Sequence, residues 1–291
     1  MNISNIIHDS RVTVSCELFP PKPGAAMNLD SILRDISALS PDFVSVTYGA
    51  SGSTSKNTLA IARTLQDTYR VPALAHLTCV SSSKEEIKKM VADLQNAGIH
   101  NILALRGDLP QDGTLSTDFR YASELIEFIR ALPGGDELTI GAACYPEGHV
   151  ECEFREKDIE FLKHKVDCGV DFLTTQMFFD NSILYQFLYR VLAHNIRVPI
   201  VAGIMPVTNV KQIRRACQLS GTNLPPRFQA IAQRFGDDPA AMKQAGIAYA
   251  TEQIIDLIAN GVEHIHIYTM NNPDIAAQIL HNLSDIIRPH G

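Results

Sequence analysis

The chain has 291 residues, 45% of them hydrophobic and 20% charged, enough for one large α/β unit or two small domains with sizeable cores. Its formal net charge is −7, and no Lys/Arg run is long enough to follow a phosphate backbone, which argues against nucleic acid as a partner. The opening MNISNIIHDS lacks a basic segment followed by an apolar stretch, and the apolar stretch 198–207 is short and holds two prolines, so we expect neither a signal peptide nor a membrane span. The cysteines, at 16, 79, 144, 152, 168 and 217, form no C-x-x-C pair. They read as reduced thiols of a cytoplasmic protein.

Short β-branched runs alternate with longer amphipathic segments along the chain. The first strand is expected at 12–17. A helix follows over 28–39, with Leu29, Ile32, Leu33 and Ile36 at helical spacing, then strands at 43–48 and 73–79. The segment 83–97 opens with a capping Ser and Glu86 three residues on, and stops at Gly98. Strands at 101–106 and 139–145 come next, then a helix over 158–168 ending at Gly169, a strand at 172–176 and a helix over 181–194. After a strand at 200–204 and a helix over 209–219, the stretch 219–238 is irregular and reads as an insertion with a short extra helix. A helix over 240–260, a strand at 264–268 and a helix over 273–287, with Pro273 suited to a first turn, close the chain.

The strand runs are mostly apolar on both faces, as in parallel sheets covered by helices. Eight such β/α units in this length point to an α/β fold: a (β/α)8 TIM barrel, one single domain over 1–291. An open doubly wound sheet is the rival. It would carry a Gly-rich turn after its first strand, and here that position reads ELFPPKPG.

In such barrels the chemistry sits at the C-terminal ends of the strands. Those positions hold Glu17, Thr47 with Tyr48, His76 with Thr78, Arg106 with Asp108, Tyr145 with Glu147 and His149, Gln176, and Tyr268 with Asn271 and Asn272. Glu17 should point into the barrel top among apolar neighbours such as Leu18 and Phe19. Burial raises a carboxyl pKa and suits it to general acid work; the bland alternative is a strand-end Glu paired with a cation. In ALRGDLP, Gly107 lets the backbone approach a planar ligand, against the alternative of an ordinary Arg–Asp turn pair. YPEGH (145–149) offers an aromatic, a carboxylate and an imidazole for a ring system, or else a solvated Pro–Gly turn. His149, Glu151, Cys152 and Glu153 cluster, yet no H-E-x-x-H or paired-cysteine spacing is present, and we assign no metal. His264 and His266 share one face of the last strand, where core histidines satisfied by backbone partners are expected. GASGST (49–54) fits neither a P-loop nor G-x-G-x-x-G.

The motifs CELFPPK (16–22), FVSVTYGA (43–50), AHLTC (75–79), LALRGDLP (103–110), AACYPEGH (142–149), KVDCGVDFLTTQMFFD (165–180), GIMPVTN (203–209) and HIYTMNN (266–272) come in order along the chain. Together they resemble the 5,10-methylenetetrahydrofolate reductase family, in its bacterial flavin-dependent type, over nearly the whole length. The resemblance implies a (β/α)8 barrel binding FAD without a covalent bond. It implies a ping-pong reaction in one-carbon metabolism: a reduced nicotinamide, NADH or NADPH, gives hydride to the flavin, which passes it to the methylene carbon of methylenetetrahydrofolate. By similarity Glu17 protonates the folate at N10 and Asp108 tunes the flavin and contacts the pterin. Gln176, Gln212 and Asn272 then contact substrate. Thr47, Tyr48, Ala50, His76, Arg106, Gly107, Asp108, Tyr121, Ala122, Tyr145, His149, Asp158, His164 and Lys165 fall where the family contacts FAD, the last two facing its pyrophosphate.

Three positions depart from the family pattern: His164 and Asn272 stand where arginine is usual, and Ala216 where some members carry an aromatic over the nicotinamide. They leave the electron donor open between a nicotinamide and a partner subunit, as in acetogenic relatives. Self-association into a homo-oligomer is expected. The chain ends soon after the eighth helix, so no C-terminal regulatory domain is expected. Two alternatives compete: a flavin-free barrel lyase, which needs a strand-end lysine or a metal, and a non-catalytic accessory subunit.

Overall fold

The computed structural model describes residues 1–9, 11–21, 28–48, 55–108 and 118–287. The eight β-branched runs become β1 (Thr13–Leu18), β2 (Phe43–Val46), β3 (Ala73–Thr78), β4 (Asn101–Leu105), β5 (Thr139–Cys144), β6 (Phe172–Thr175), β7 (Ile200–Ile204) and β8 (His264–Ile267). Each pairs in parallel with the next, and β8 pairs with β1 at Ser15↔His266, so the sheet closes in chain order.

Helix α1 (Ile3–Ile7) sits at one end of the barrel, and the other helices are α2 (Leu29–Ala38), α3 (Ser55–Asp67), α4 (Lys84–Asn96), α5 (Ala122–Arg130), α6 (Arg155–Asp167), α7 (Asn181–Ala193), α8 (Val210–Ser220), α9 (Pro226–Phe235), α10 (Pro239–Ala259) and α11 (Pro273–Asn282). Side-chain oxygens satisfy the first free amides of many of them. Asn28, Asp180, Asn209 and Asp238 cap α2, α7, α8 and α10, and Ser83 with Glu86 forms the capping box expected for α4. No helix among the described residues is long and apolar enough to cross a membrane.

The observed elements sharpen the sequence reading in several places. Most strands stop one or two residues early, leaving Thr47, Tyr48, Arg106, Tyr145, Gln176 and Tyr268 just beyond the ladder. Helix α6 starts at Arg155 rather than 158, α11 ends at Asn282 rather than 287, and the irregular insertion holds α9. Helices α1, α3 and α5 lie outside the helical segments expected from the sequence.

The larger correction concerns the strand faces. The outward row is apolar: Val14, Cys16 and Leu18, Val44 and Val46, Ala73, Ala75 and Leu77, Ile265 and Ile267 join one core with the covering helices. The inward row mixes polar groups into the barrel, with Thr13, Ser15, Ser45, His76, Asn101, Thr139, Thr174, His264 and His266 all buried. The strands therefore alternate, with period 2.

The N-terminal end of the barrel is sealed. Ile3 and Ile7 of α1 pack with Phe43, Leu74, Leu103, Phe172 and Val201 in a small separate cluster. Asn101 locks the plug by accepting from the Ile3 amide at 2.9 Å and donating to the Met1 carbonyl at 3.0 Å. Above this floor, His264 meets the Thr13 hydroxyl at 3.0 Å, and His266 meets Ser15 at 2.8 Å and Ser45 at 3.4 Å. Both histidines are satisfied by side-chain hydroxyls, not by the backbone partners expected.

Candidate active site

Glu17 sits on β1 in the mouth above that layer, its side chain 17% exposed. Leu18 points the other way into the outer core, so the apolar surroundings expected for Glu17 are replaced by inward-facing His76 and Tyr268. Burial pushes the Glu17 carboxyl up to about 8, because the ionised form loses its water. The His76 imidazole lies with Nε2 3.9 Å from Glu17 Oε2. Burial, and then the neighbouring His266, lower His76 to about 3. The pair is therefore a neutral acid beside a neutral imidazole at pH 7, not an ion pair. His76 Nε2 is buried and has no hydrogen-bond partner, so the mouth offers an unsatisfied polar atom next to the acid.

Tyr268, expected only as strand-end material, closes the side of this pocket. Its hydroxyl donates to the Thr175 carbonyl at 2.7 Å, and burial, then Glu17, hold its pKa well above the phenol value. The ring stands edge-on to His266. It fits because position 203 is glycine: a Cβ there would lie 2.6 Å from the ring. The loops after β1 and β8 are clasped together: Thr269 donates to the Glu17 carbonyl at 2.7 Å, while Asn271 donates to the Phe19 carbonyl at 2.8 Å and accepts from its amide at 3.0 Å.

A second group gathers at the ends of β4 and β5. Tyr145 packs edge-on against His149, 4.7 Å between centroids, and burial raises the Tyr145 phenol to about 12. Burial lowers His149, which is also influenced by Arg106, Glu151, Asp158 and Lys165, so the structure brings these residues together. Lys165 on α6 donates to the Ala143 carbonyl at 2.5 Å, and burial lowers its pKa. Asp158 is raised by burial, opposed by a hydrogen bond from the His149 backbone.

Arg106 is not in the Arg–Asp turn pair that the tripeptide suggested. It grips Glu151 with two bonds of 2.6 Å, a partner that sequence spacing does not reveal across 45 residues. Asp108 is left exposed. Gly107 is at φ +89°, and a Cβ there would meet Thr78 at 3.0 Å, so only glycine lets this turn run past β3.

The remaining candidates are spread around the rim. Gln176 lines a shallow cleft with Tyr145, Glu147, Ser220 and Thr222, and its Oε1 accepts from the Met177 amide at 2.9 Å. Glu147 is held by Asn223 through its amide at 3.1 Å and its side chain at 2.6 Å, which ties the insertion to the rim. Gln212 is exposed in the first turn of α8, and Asn272 is exposed at the start of α11. Ala216 packs with the Met177, Phe179 and Phe228 cluster under α8 and α9. Tyr121 is exposed just before α5, where its carbonyl lies 3.8 Å from the Cys79 thiol; Ala122 is the first residue of α5. The Thr47 carbonyl accepts from Thr58 at 2.9 Å, and Tyr48 packs partly buried against the outer core. Ala50 and the GASGST segment lie outside the described residues.

His164 is exposed and gathers with Glu127 and Cys168 on the seam between α5 and α6. Its neighbour Lys165 faces β5 instead, since successive helical residues point about 100° apart.

A sequence model of the methylenetetrahydrofolate reductase family matches residues 2–284. The chain belongs to the methylenetetrahydrofolate reductase family. It is an oxidoreductase of that family, which reduces methylenetetrahydrofolate. The chain is 35% identical over 280 residues to the 5,10-methylenetetrahydrofolate reductase of Pectobacterium carotovorum, covering 96% of this chain and 92% of the relative. It is 36% identical over 289 residues to methylenetetrahydrofolate reductase (NADH) 1 of Zea mays, covering 94% of this chain and 49% of that one. A solved barrel from Clostridium thermocellum, described as binding two copies of 5-methyl-5,6,7,8-tetrahydrofolic acid, aligns over 98% of both chains with a TM-score of 0.59 at 14% identity. That likeness is one of fold.

Proposed function

We propose that this reductase works with FAD, NADH and general acid catalysis by Glu17. The observation that carries the proposal is Glu17 in the barrel mouth 3.9 Å from the unpartnered, buried His76 Nε2, where burial pushes the carboxyl up. The residues present suit a flavin dinucleotide. Lys165 and Arg106 would supply cations for a pyrophosphate, and His76 Nε2 offers a buried polar atom with no hydrogen-bond partner. Thr47, Tyr48, Tyr121, Ala122, Tyr145, His149 and Asp158 would complete the cradle. Thr47, Tyr48, Tyr145 and His149 follow strand ends, while Tyr121, Ala122 and Asp158 lie at the starts of α5 and α6. His164 is left out of it, because it sits with Glu127 and Cys168.

When bound, FAD supplies the hydride chemistry in both half-reactions. The chain's own residues do the rest. Glu17 holds a proton at its carboxyl and delivers it to N10 of the folate, opening the five-membered ring. Barrel walls and Tyr268 exclude water, which keeps that proton on the acid. Asp108, exposed at the rim, disfavours further negative charge nearby and accepts from the pterin. Gln176, beside Tyr145 in the rim cleft, orients substrate, with Gln212 and Asn272 further out. NADH is supported as donor by the name of the maize relative. A homo-oligomer and a cytoplasmic setting complete the proposal; a separate electron-carrying subunit is the alternative source of electrons.

The test separates the half-reactions. The purified protein should be yellow, its flavin bleached anaerobically by NADH and recoloured by methylenetetrahydrofolate. Glu17→Gln should keep the bleaching and lose the recolouring. A colourless protein that takes up no FAD, or equal loss of both steps in Glu17→Gln, contradicts the proposal.

A further inference from the structure

Cys168 ends α6, and His164 lies four residues earlier, one helical turn back on the same face. Glu127 reaches the same point from α5. The donor atoms of the three all lie within 4.8 Å of one another, and they are the only group of three such side chains so gathered among the described residues. The Cys168 thiol donates to Glu127 Oε1 at 3.3 Å. Zinc–ligand bonds of about 2.0–2.3 Å put neighbouring donors in a tetrahedral site roughly 3.3–3.7 Å apart. Small side-chain rotations therefore close the site without moving either helix.

The frame around these donors is already fixed. Arg130, three residues after Glu127 on α5, donates to the Gly169 carbonyl at 2.9 and 2.6 Å and to Asp171 at 2.8 Å. It also donates to the Gly135 and Leu138 carbonyls at 2.8 and 2.7 Å. One guanidinium thus clamps the residues just after Cys168 to the helix that carries Glu127. The contrast with His149 and Glu151 is instructive: Glu151 is committed to Arg106 there.

We propose that Glu127, His164 and Cys168 bind one zinc ion on the outer wall of the barrel, with water as the fourth ligand. One thiolate, one imidazole and one carboxylate suit zinc, whereas magnesium and calcium take oxygen donors. On binding, Cys168 releases its proton to solvent, and Glu127 and His164 add lone pairs. No group is oxidised or reduced. The ion replaces the Cys168–Glu127 hydrogen bond and pins α6 to α5. The site is separate from the mouth and independent of the flavin proposal.

The test uses the full chain, stripped with a chelator and titrated with zinc alone against a chromophoric competitor, then with cobalt. One equivalent of zinc should bind, and cobalt should give a thiolate-to-metal charge-transfer band. Cys168→Ser should abolish the band. His164→Asn and Glu127→Gln, which alter exposed side chains, should weaken zinc by more than about 100-fold, beyond the loss of an outer-shell partner. Cys152→Ser should bind as wild type. Zinc should also slow alkylation of Cys168 in the wild type but not in His164→Asn. No stoichiometric binding by the wild type, or unchanged binding in Cys168→Ser, overturns the proposal.

Discussion

The two ends of this barrel are built from the same eight strands and differ in almost every chemical respect. At the N-terminal end, α1 lays Ile3 and Ile7 over Phe43, Phe172 and Val201, and the core closes. At the C-terminal end the inward positions carry Glu17, His76 and Tyr268, each buried or nearly so and each held away from its charged form. An apolar floor stabilises; a mouth lined with desolvated titratable groups holds protons where substrate arrives. Isolating a carboxyl from water is unfavourable for its ionised form, and the floor supplies part of what offsets it.

Substitutions at the two ends should therefore separate rate from stability. The largest effect is expected at Glu17. Glu17→Gln should slow reoxidation by methylenetetrahydrofolate by ~10²–10⁴-fold in stopped flow, the usual worth of a positioned acid. It should raise stability over wild type progressively from pH 4.5 to about 8, pH 7 included, and by a constant amount above that. Phe172→Ala should do the reverse, costing about 3–5 kcal/mol in urea unfolding through the cavity left in the floor. The surviving folded protein should keep its half-reactions. Gly107→Ala should cost about 1–3 kcal/mol, because a side chain at positive φ is strained and meets Thr78; it should also weaken flavin retention.

The smallest effect is in the pH dependence of stability. His76 and His266 sit at about 3 in the folded chain against an ordinary 6.5. They take up protons on unfolding, so their contribution is full above 6.5 and lost as pH falls toward 3. Glu17 runs the other way. Its carboxyl is ordinarily near 4.5 and stands at about 8 when folded. Its contribution is full below 4.5 and lost as pH rises through 8. Thermal melts should therefore drop below pH 6.5, and His266→Gln should flatten that drop.

The barrel was legible because its outer row and its helices write strong periodic patterns, from Val44 and Val46 to the capping box at Ser83. Helices α3 and α5 lie outside the expected helical segments, and α1 is too short for a period. The polar inner row is not legible in the sequence, because residues such as Ser15, Ser45 and Thr174 become meaningful only when the barrel closes and faces them inward. In the site, strand-end position pointed to Glu17, His76, Arg106, Tyr145 and Gln176 through topology alone. What sequence did not give were partners brought together by the fold: Glu151 on Arg106, Tyr268 against Glu17, Asn223 on Glu147. His164 faces α5 while its neighbour Lys165 faces β5, a distinction set by helix phase.

The central claim is that Glu17 is a protonated acid at neutral pH. Infrared difference spectra of wild type minus Glu17→Gln, recorded across pH 5–10, test it most directly. A carboxylic acid carbonyl band present at pH 7 and bleaching with a midpoint at about 8 is the predicted result. A carboxylate signature already complete at pH 6 would contradict it.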